Sequence, residues 1–324
     1  MRIPRFPLVC FALLASTVVL AQATNTGTGP QGEVPTIRKN VNLVSVSFTV
    51  RDQQNAFVPH LSKEDFQVFE NGTPQTIKYF SAESGLPLTL GLMLETSGYM
   101  QGVLPQERLL ADGFLRQIIG EKDLAFVVSF DVSVELLQDL TSDHLLLRAG
   151  LDRARVNAQG RVSRLPGVGQ GPLPTSHPVK TQLFDAVYLA SHEVLSKQVG
   201  RKAVVILTSG VDYGSVVKAR DAFEAAQRAD AICYVILIGE PKLSSASHDI
   251  HVLAEQTGGR AISVSSGEKM VEAFHQIASE LRSQYSLGYS PENDKRDGTF
   301  RKIEIKSKPG LKVTARKGYF AQSN

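Results

Sequence analysis

The residues of this chain that could do chemistry are oxygen donors placed at the ends of apolar runs. Leu88-Thr89-Leu90-Gly91-Leu92-Met93-Leu94 delivers Glu95-Thr96-Ser97-Gly98-Tyr99. Thr181 stands directly ahead of a helical pattern, and Ala203-Val204-Val205-Ile206-Leu207 delivers Thr208-Ser209-Gly210. An acid and several hydroxyls brought together suit a hard divalent cation, which takes oxygen ligands at about 2.1 Å. Hydroxyls alone suit nucleophilic chemistry, but Ser97 lacks the Gly-x-Ser-x-Gly elbow, and the sequence marks no His with a partner acid. Asp131, after the second strand, and Asp212, three residues beyond Ser209, are auxiliary acids that also read as turn formers.

Positioning such groups together is the work of a doubly wound sheet, whose loops converge at the carboxyl ends of its strands. From Leu88 onward strand and helix patterns alternate, which implies a mostly parallel sheet with helices on both faces. Strands are expected at about 88–94, 123–130, 133–137, 203–207, 231–237 and 260–264. Helices are expected at 106–119, 142–155, 182–197, 215–228, 248–256 and 269–283. Only Asp131-Val132 separates strands two and three, so the third is expected to be antiparallel and at a sheet edge. Before this region, Val41 to Phe80 is β-rich, with an Asn71-Gly72 hairpin turn and a second strand around Gln75 to Phe80. After it, Ile303 and Ile305 alternate with charged residues, and Leu311 and Val313 begin a last strand. The expected fold class is therefore α/β, doubly wound, with a small β-domain formed by the N- and C-terminal segments.

These three loops resemble those of the von Willebrand factor A family. There they build a metal-ion-dependent adhesion site from Asp-x-Ser-x-Ser, a Thr and a second Asp. The resemblance carries over to Glu95, Ser97 and Thr181 as candidate metal ligands, with Tyr99 and Ser209 as altered ligand positions. Mg²⁺ or Mn²⁺ is the ion such a site would take. Here the acid is one methylene longer, a phenol replaces a Ser hydroxyl, and a neutral hydroxyl replaces the second acid, so the site reads as degenerate. Leu61-Ser62-Lys63-Glu64-Asp65-Phe66, Phe69-Glu70-Asn71-Gly72, Tyr289 and Gly318-Tyr319 extend the resemblance to the exported von Willebrand A-related proteins abundant in acidobacteria.

The chain has 324 residues, 42% of them hydrophobic and 21% charged, as expected for a foldable globular protein. Arg2, Arg5, the apolar stretch Phe6 to Leu20 and Ala21-Gln22-Ala23 read as a signal peptide over 1–23, implying export to the periplasm or beyond. No later run is long enough to span a bilayer. The expected divisions are a spacer at 24–40, a β unit at 41–84, the von Willebrand A-like domain at 85–284 and a C-terminal β segment at 285–324 that pairs with 41–84. The formal charge of +3 falls to +1 when the leader's two arginines leave, so nothing demands nucleic acid. Cys233, in a strand pattern, reads as a small buried hydrophobe. The Gly- and Pro-rich stretch 157–180, carrying Arg161, Arg164, His177 and Lys180, is long enough to be a functional loop and leads straight into Thr181, so it reads as a partner-binding loop.

The expected function is an exported, non-enzymatic binding or adhesion module that recognises a protein or envelope component without tight metal. The competing expectations are metal-dependent adhesion through Glu95, Ser97 and Thr181, and a serine hydrolase using Ser97 or Ser209.

Overall fold

The alternation Val44, Val46, Phe48, Val50 places one face of β1 (Val44–Arg51) in a core. The structure, a computed structural model, describes residues 43–82, 86–156, 181–239 and 245–323. The expected leader and spacer, and the 157–180 loop with Arg161, Arg164, His177 and Lys180, lie outside the described residues. After β1 come β2 (Phe66–Glu70), β3 (Thr73–Gln75) and β4 (Ile77–Ala82). Asn71 and Gly72 have φ of 48° and 85°, the left-handed pair that a tight two-residue hairpin turn requires. The strand expected around Gln75 to Phe80 is two strands. β3 pairs with β2, and after Thr76 the chain crosses to the other sheet as β4.

The next stretch alternates strand and helix. It runs β5 (Leu88–Glu95), α1 (Leu104–Ile118), β6 (Leu124–Phe130), β7 (Val134–Thr141), α2 (His144–Arg153), α3 (Leu183–Leu189), β8 (Arg201–Thr208), α4 (Ala219–Arg228), β9 (Ala231–Ile238), α5 (Ser245–Thr257), β10 (Ala261–Val264) and α6 (Gly267–Arg282). The six strands form one sheet in the order β10-β9-β8-β5-β6-β7, parallel except for β7, which lies antiparallel at the edge. Every residue of β5 is buried, because helices cover both faces of the sheet. Leu88, Leu90, Leu92 and Leu94 face the layer of α1, α2 and α6, and Met93 faces that of α3, α4 and α5. Gly91 leaves room for Phe126, since a Cβ there would sit 2.5 Å from the ring's Cζ.

Two helices differ from expectation for local reasons. The 182–197 helix is α-helical only through Leu189, then widens into a π turn over Ala190–Val194 and tightens to 3₁₀ over Leu195–Lys197. The helix expected from Ser215 starts at Ala219. The Asp185 carboxylate accepts from the backbone N–H of Val216 and Val217, removing both from the helical ladder.

The chain ends in β11 (Tyr285–Tyr289), β12 (Phe300–Ser307), β13 (Lys312–Ala315) and β14 (Gly318–Phe320). These join the N-terminal strands in two four-stranded antiparallel sheets, β13-β1-β11-β4 and β14-β12-β2-β3. The two sheets share one core, in which the Phe48 ring lies 5.0 Å from Phe66 and 5.5 Å from Tyr285. Glu280 of α6 ties this β unit to the α/β unit. Its carboxylate pairs with Arg51 of β1 at 2.8 Å and with Arg260. Among the described residues no helix is long and apolar enough to cross a membrane.

Candidate functional site

β5 and β8 lie side by side, with Leu94 opposite Leu207. From β5 the order runs outward to β6 and β7 on one side and to β8, β9 and β10 on the other, so the residues after β5 and β8 meet at the topological switch point. Glu95, the last residue of β5, is wholly buried there. Its Oε1 accepts from the hydroxyls of Ser97 and, at 2.9 Å, Ser209. Its Oε2 accepts from Thr208 Oγ1 at 2.7 Å and from the Ser209 backbone N–H at 2.7 Å. A carboxylate offers about four lone-pair sites. Glu95 therefore has its acceptor capacity filled by the protein itself, and its extra methylene over Asp supplies the reach toward the end of β8.

The surrounding loops are stitched in the same way. Thr96 Oγ1 donates to Asp131 Oδ2 at 2.9 Å, linking the loops after β5 and β6. The Asp131 carbonyl accepts from Gln182 N–H at 2.8 Å. Thr181 Oγ1 donates to the Val211 carbonyl at 2.6 Å, and the Thr181 carbonyl accepts from Tyr213 and Gly214 N–H. Asp212 Oδ1 accepts from Leu183 N–H at the start of α3 and from Ser215 Oγ. Burial raises the pKa of Asp212, an effect opposed by these hydrogen bonds. Glu95, Thr96, Ser97, Asp131, Thr181 and Thr208 are all buried, whereas Tyr99, Tyr213 and Val216 are 41%, 58% and 89% exposed.

Beneath this ring α1 carries a second buried acid. Glu107 is 0% exposed, and neither of its carboxylate oxygens has a hydrogen-bond partner among the described residues. Loss of water around it, reinforced by the negative charge of Glu95, pushes its pKa up to about 8.

As arranged, these donors do not fit a divalent-ion shell. The lone pairs of Glu95 are taken, the Thr181 hydroxyl is bonded to a carbonyl, the Tyr99 ring is largely solvated, and Ser209 brings a hydroxyl where a second acid would add charge. Among the described residues no group of three or more His, Cys, Asp or Glu side chains is placed to hold a metal.

Of the residues picked out from the sequence, Glu95, Ser97 and Ser209 come into direct contact. Thr181 lies in the adjoining loop without a hydrogen bond to Glu95 among those described, and Asp131 and Asp212 bind loop backbone and hydroxyls. Thr208, among the hydroxyls at the end of the Ala203–Leu207 run, is the last residue of β8 and joins the site as a donor to Glu95, a role the sequence does not assign to it. Glu107 was legible in principle, because Leu104, Ala111, Phe114, Leu115 and Ile118 define the buried stripe of α1 and position 107 falls on it.

No protein-family model matches the sequence, and no curated protein matches it. Solved structures align with parts of the chain at low identity. Proximal thread matrix protein 1 from the mussel byssus, with a zinc-occupied MIDAS motif, aligns at 16% identity and a TM-score of 0.48 over 64% of this chain and 48% of its own. This chain thus spans about half the length of that protein. A von Willebrand factor type A protein from Catenulispora acidiphila aligns at 11% identity and a TM-score of 0.48 over 80% of this chain and 74% of its own. The vWF domain of the type V pili tip protein Mfa5 from Porphyromonas gingivalis aligns at 11% identity and a TM-score of 0.44 over 60% of this chain and 94% of its own. The six-stranded order with one antiparallel edge, helices on both faces and polar loops at the switch point is the doubly wound α/β fold expected from the sequence.

Proposed function

We propose that this chain is an exported, non-enzymatic binding module that recognises a protein or envelope component through the loop face at the carboxyl ends of β5 and β8, without a tightly held metal. The observation that carries this reading is the inward closure of Glu95 onto Ser97, Thr208 and Ser209 beside exposed Tyr99, Tyr213 and Val216. An adhesion site built on a metal offers an ion with an open coordination position to its partner's acid. This face offers two phenols, large amphipathic groups of the kind that anchor protein interfaces, beside an exposed aliphatic side chain. Both site serines donate to Glu95, so each hydroxyl is hydrogen-bonded to a carboxylate that also holds two other donors and not to a dedicated general base. The 157–180 segment, ending immediately before Thr181, is proposed to contribute partner specificity through Arg161, Arg164, His177 and Lys180.

The test is calorimetric titration of the chain from Thr24 to Asn324 with Mg²⁺ and Mn²⁺, with thermal midpoints read with and without chelator. The expected result is no saturable heat and no shift. A one-to-one site that raises the midpoint would replace this reading with metal-dependent adhesion, for which Thr181→Ala should abolish partner binding. For the recognition face, photo-crosslinkers at positions 99 and 213 should capture the same partner, and one at Lys302, on the β unit, should not. Equal capture from all three positions would remove the loop face from the proposal. Labelling of Ser97 or Ser209 by a fluorophosphonate would instead point to a hydrolase.

A further inference from the structure

A cleft of about 460 Å³ lies between the end of α4 and the β unit, away from the loop face. Asp230, in its wall, immediately precedes the amino end of β9, whereas Glu95 ends the parallel strand β5. Among the described residues its lining carries five cations, Arg228, Lys295, Arg296, Arg301 and Arg316, against Asp230 as the single acid. Three of these cations are anchored from behind. Arg228 pairs with Glu224 at 2.6 Å and stacks over the Phe320 ring at 4.7 Å. Arg301 is 2% exposed, with Glu70 at 3.5 Å, Asp297 at 4.0 Å and the carbonyls of Asn293 and Lys295 as acceptors. Arg316 is 8% exposed, pairs with Asp230 and donates to the Ser45 carbonyl at 2.7 Å. Even with Glu70, Glu224 and Asp297 counted, positive side chains outnumber negative ones around the cleft. Arg301 and Arg316 each keep an Nε–H without a hydrogen-bond partner among the described residues.

We propose that this cleft binds the phosphate or sulfate group of a small ligand. The guanidinium groups of Arg228, Arg301 and Arg316 are held by ion pairs and by the rings of Tyr319 and Phe320, so these three have little side-chain freedom left to lose on binding. A tetrahedral oxyanion with two charges uses a cleft lined by five cations better than a single carboxylate does. The cleft exceeds the space a bare ion needs and lies in the range of small-molecule sites, about 300–1,000 Å³. Beside the cations, Tyr319 and Phe320 give the ligand's body a surface on which a sugar-sized group can rest.

The experiment is calorimetric titration of the full chain, at fixed ionic strength, with inorganic phosphate, inorganic sulfate, glucose 6-phosphate and glucose. The expected result is one saturable site for glucose 6-phosphate and none for glucose, with inorganic phosphate or sulfate competing for it. Lys295 and Arg296 are exposed, so the Lys295→Ala/Arg296→Ala double variant should fold, as its thermal midpoint will show. It should lose about tenfold in affinity. Lys306→Ala, on the exposed face of β12, should leave affinity unchanged. No saturable binding of any of the three oxyanions at millimolar concentration, or equal weakening by the Lys306 variant, overturns the proposal.

Discussion

Replacing Glu107 by Gln should make this protein more stable at neutral pH. Glu107 is fully buried on α1, with both carboxylate oxygens unpartnered among the described residues, and its pKa rises from 4.5 to about 8. The folded chain therefore keeps a proton that the unfolded chain has already released. For a raised pKa the linkage is one-directional: stability is full below the unfolded value near 4.5, falls as pH rises, and levels off above about 8. Holding that proton at pH 7 costs the folded state about 3 kcal/mol relative to the unfolded chain. Gln keeps the shape and meets the same surroundings without titrating, so most of that cost disappears. At about 2 °C per kcal/mol for a domain of this size, the thermal midpoint at pH 7 should rise by roughly 6 °C. Urea unfolding of parent and variant between pH 5 and 9 is the assay. The two should be close in stability near pH 5 and diverge toward pH 8. Parallel pH profiles, with the parent's decline retained in Glu107→Gln, would show that this carboxyl does not carry the proton.

Glu280→Ala should cost about 3 kcal/mol in urea unfolding, because it strips the shared carboxylate from buried Arg51 and half-buried Arg260 at the junction of the two units; a loss below 1 kcal/mol would mean that water replaces it. Combining Glu95→Asp, Tyr99→Ser and Ser209→Asp should create saturable Mg²⁺ binding, with about 2.7 kcal/mol of added stability at a hundredfold excess of ion over Kd. A folded triple variant that ignores Mg²⁺ would show that backbone geometry, and not side-chain identity, keeps the ion out. Cys233 is wholly buried and its thiol is pushed up to about 12 by loss of water, so it should react with thiol reagents only as the protein unfolds, at a rate that follows urea concentration. Rapid labelling in native buffer would contradict that placement.

Local chemistry written along the chain determined much of this protein. An apolar run as short as Leu88 to Leu94, without polar alternation and closed by a polar turn, reads as a strand covered on both sides, and β5 is that. Asn71-Gly72 reaches positive φ at low cost, so the hairpin follows from two residues. Asp131-Val132 is too short for a crossover, which makes β7 antiparallel. The site was legible only in outline. That Glu95 would be held by Thr208 and Ser209 depends on β8 lying beside β5, across more than a hundred residues of chain, in a register that no local pattern encodes. The delayed start of α4 depends on the Asp185 carboxylate reaching Val216 and Val217 from a neighbouring helix. The cationic cleft draws Arg228, Lys295, Arg301 and Arg316 from four separate segments that only the packing of the β unit against α4 brings together. Composition and periodicity act over a few residues, and so they set the elements. Contacts between distant segments depend on how those elements pack, and tertiary structure alone decided which side chains meet.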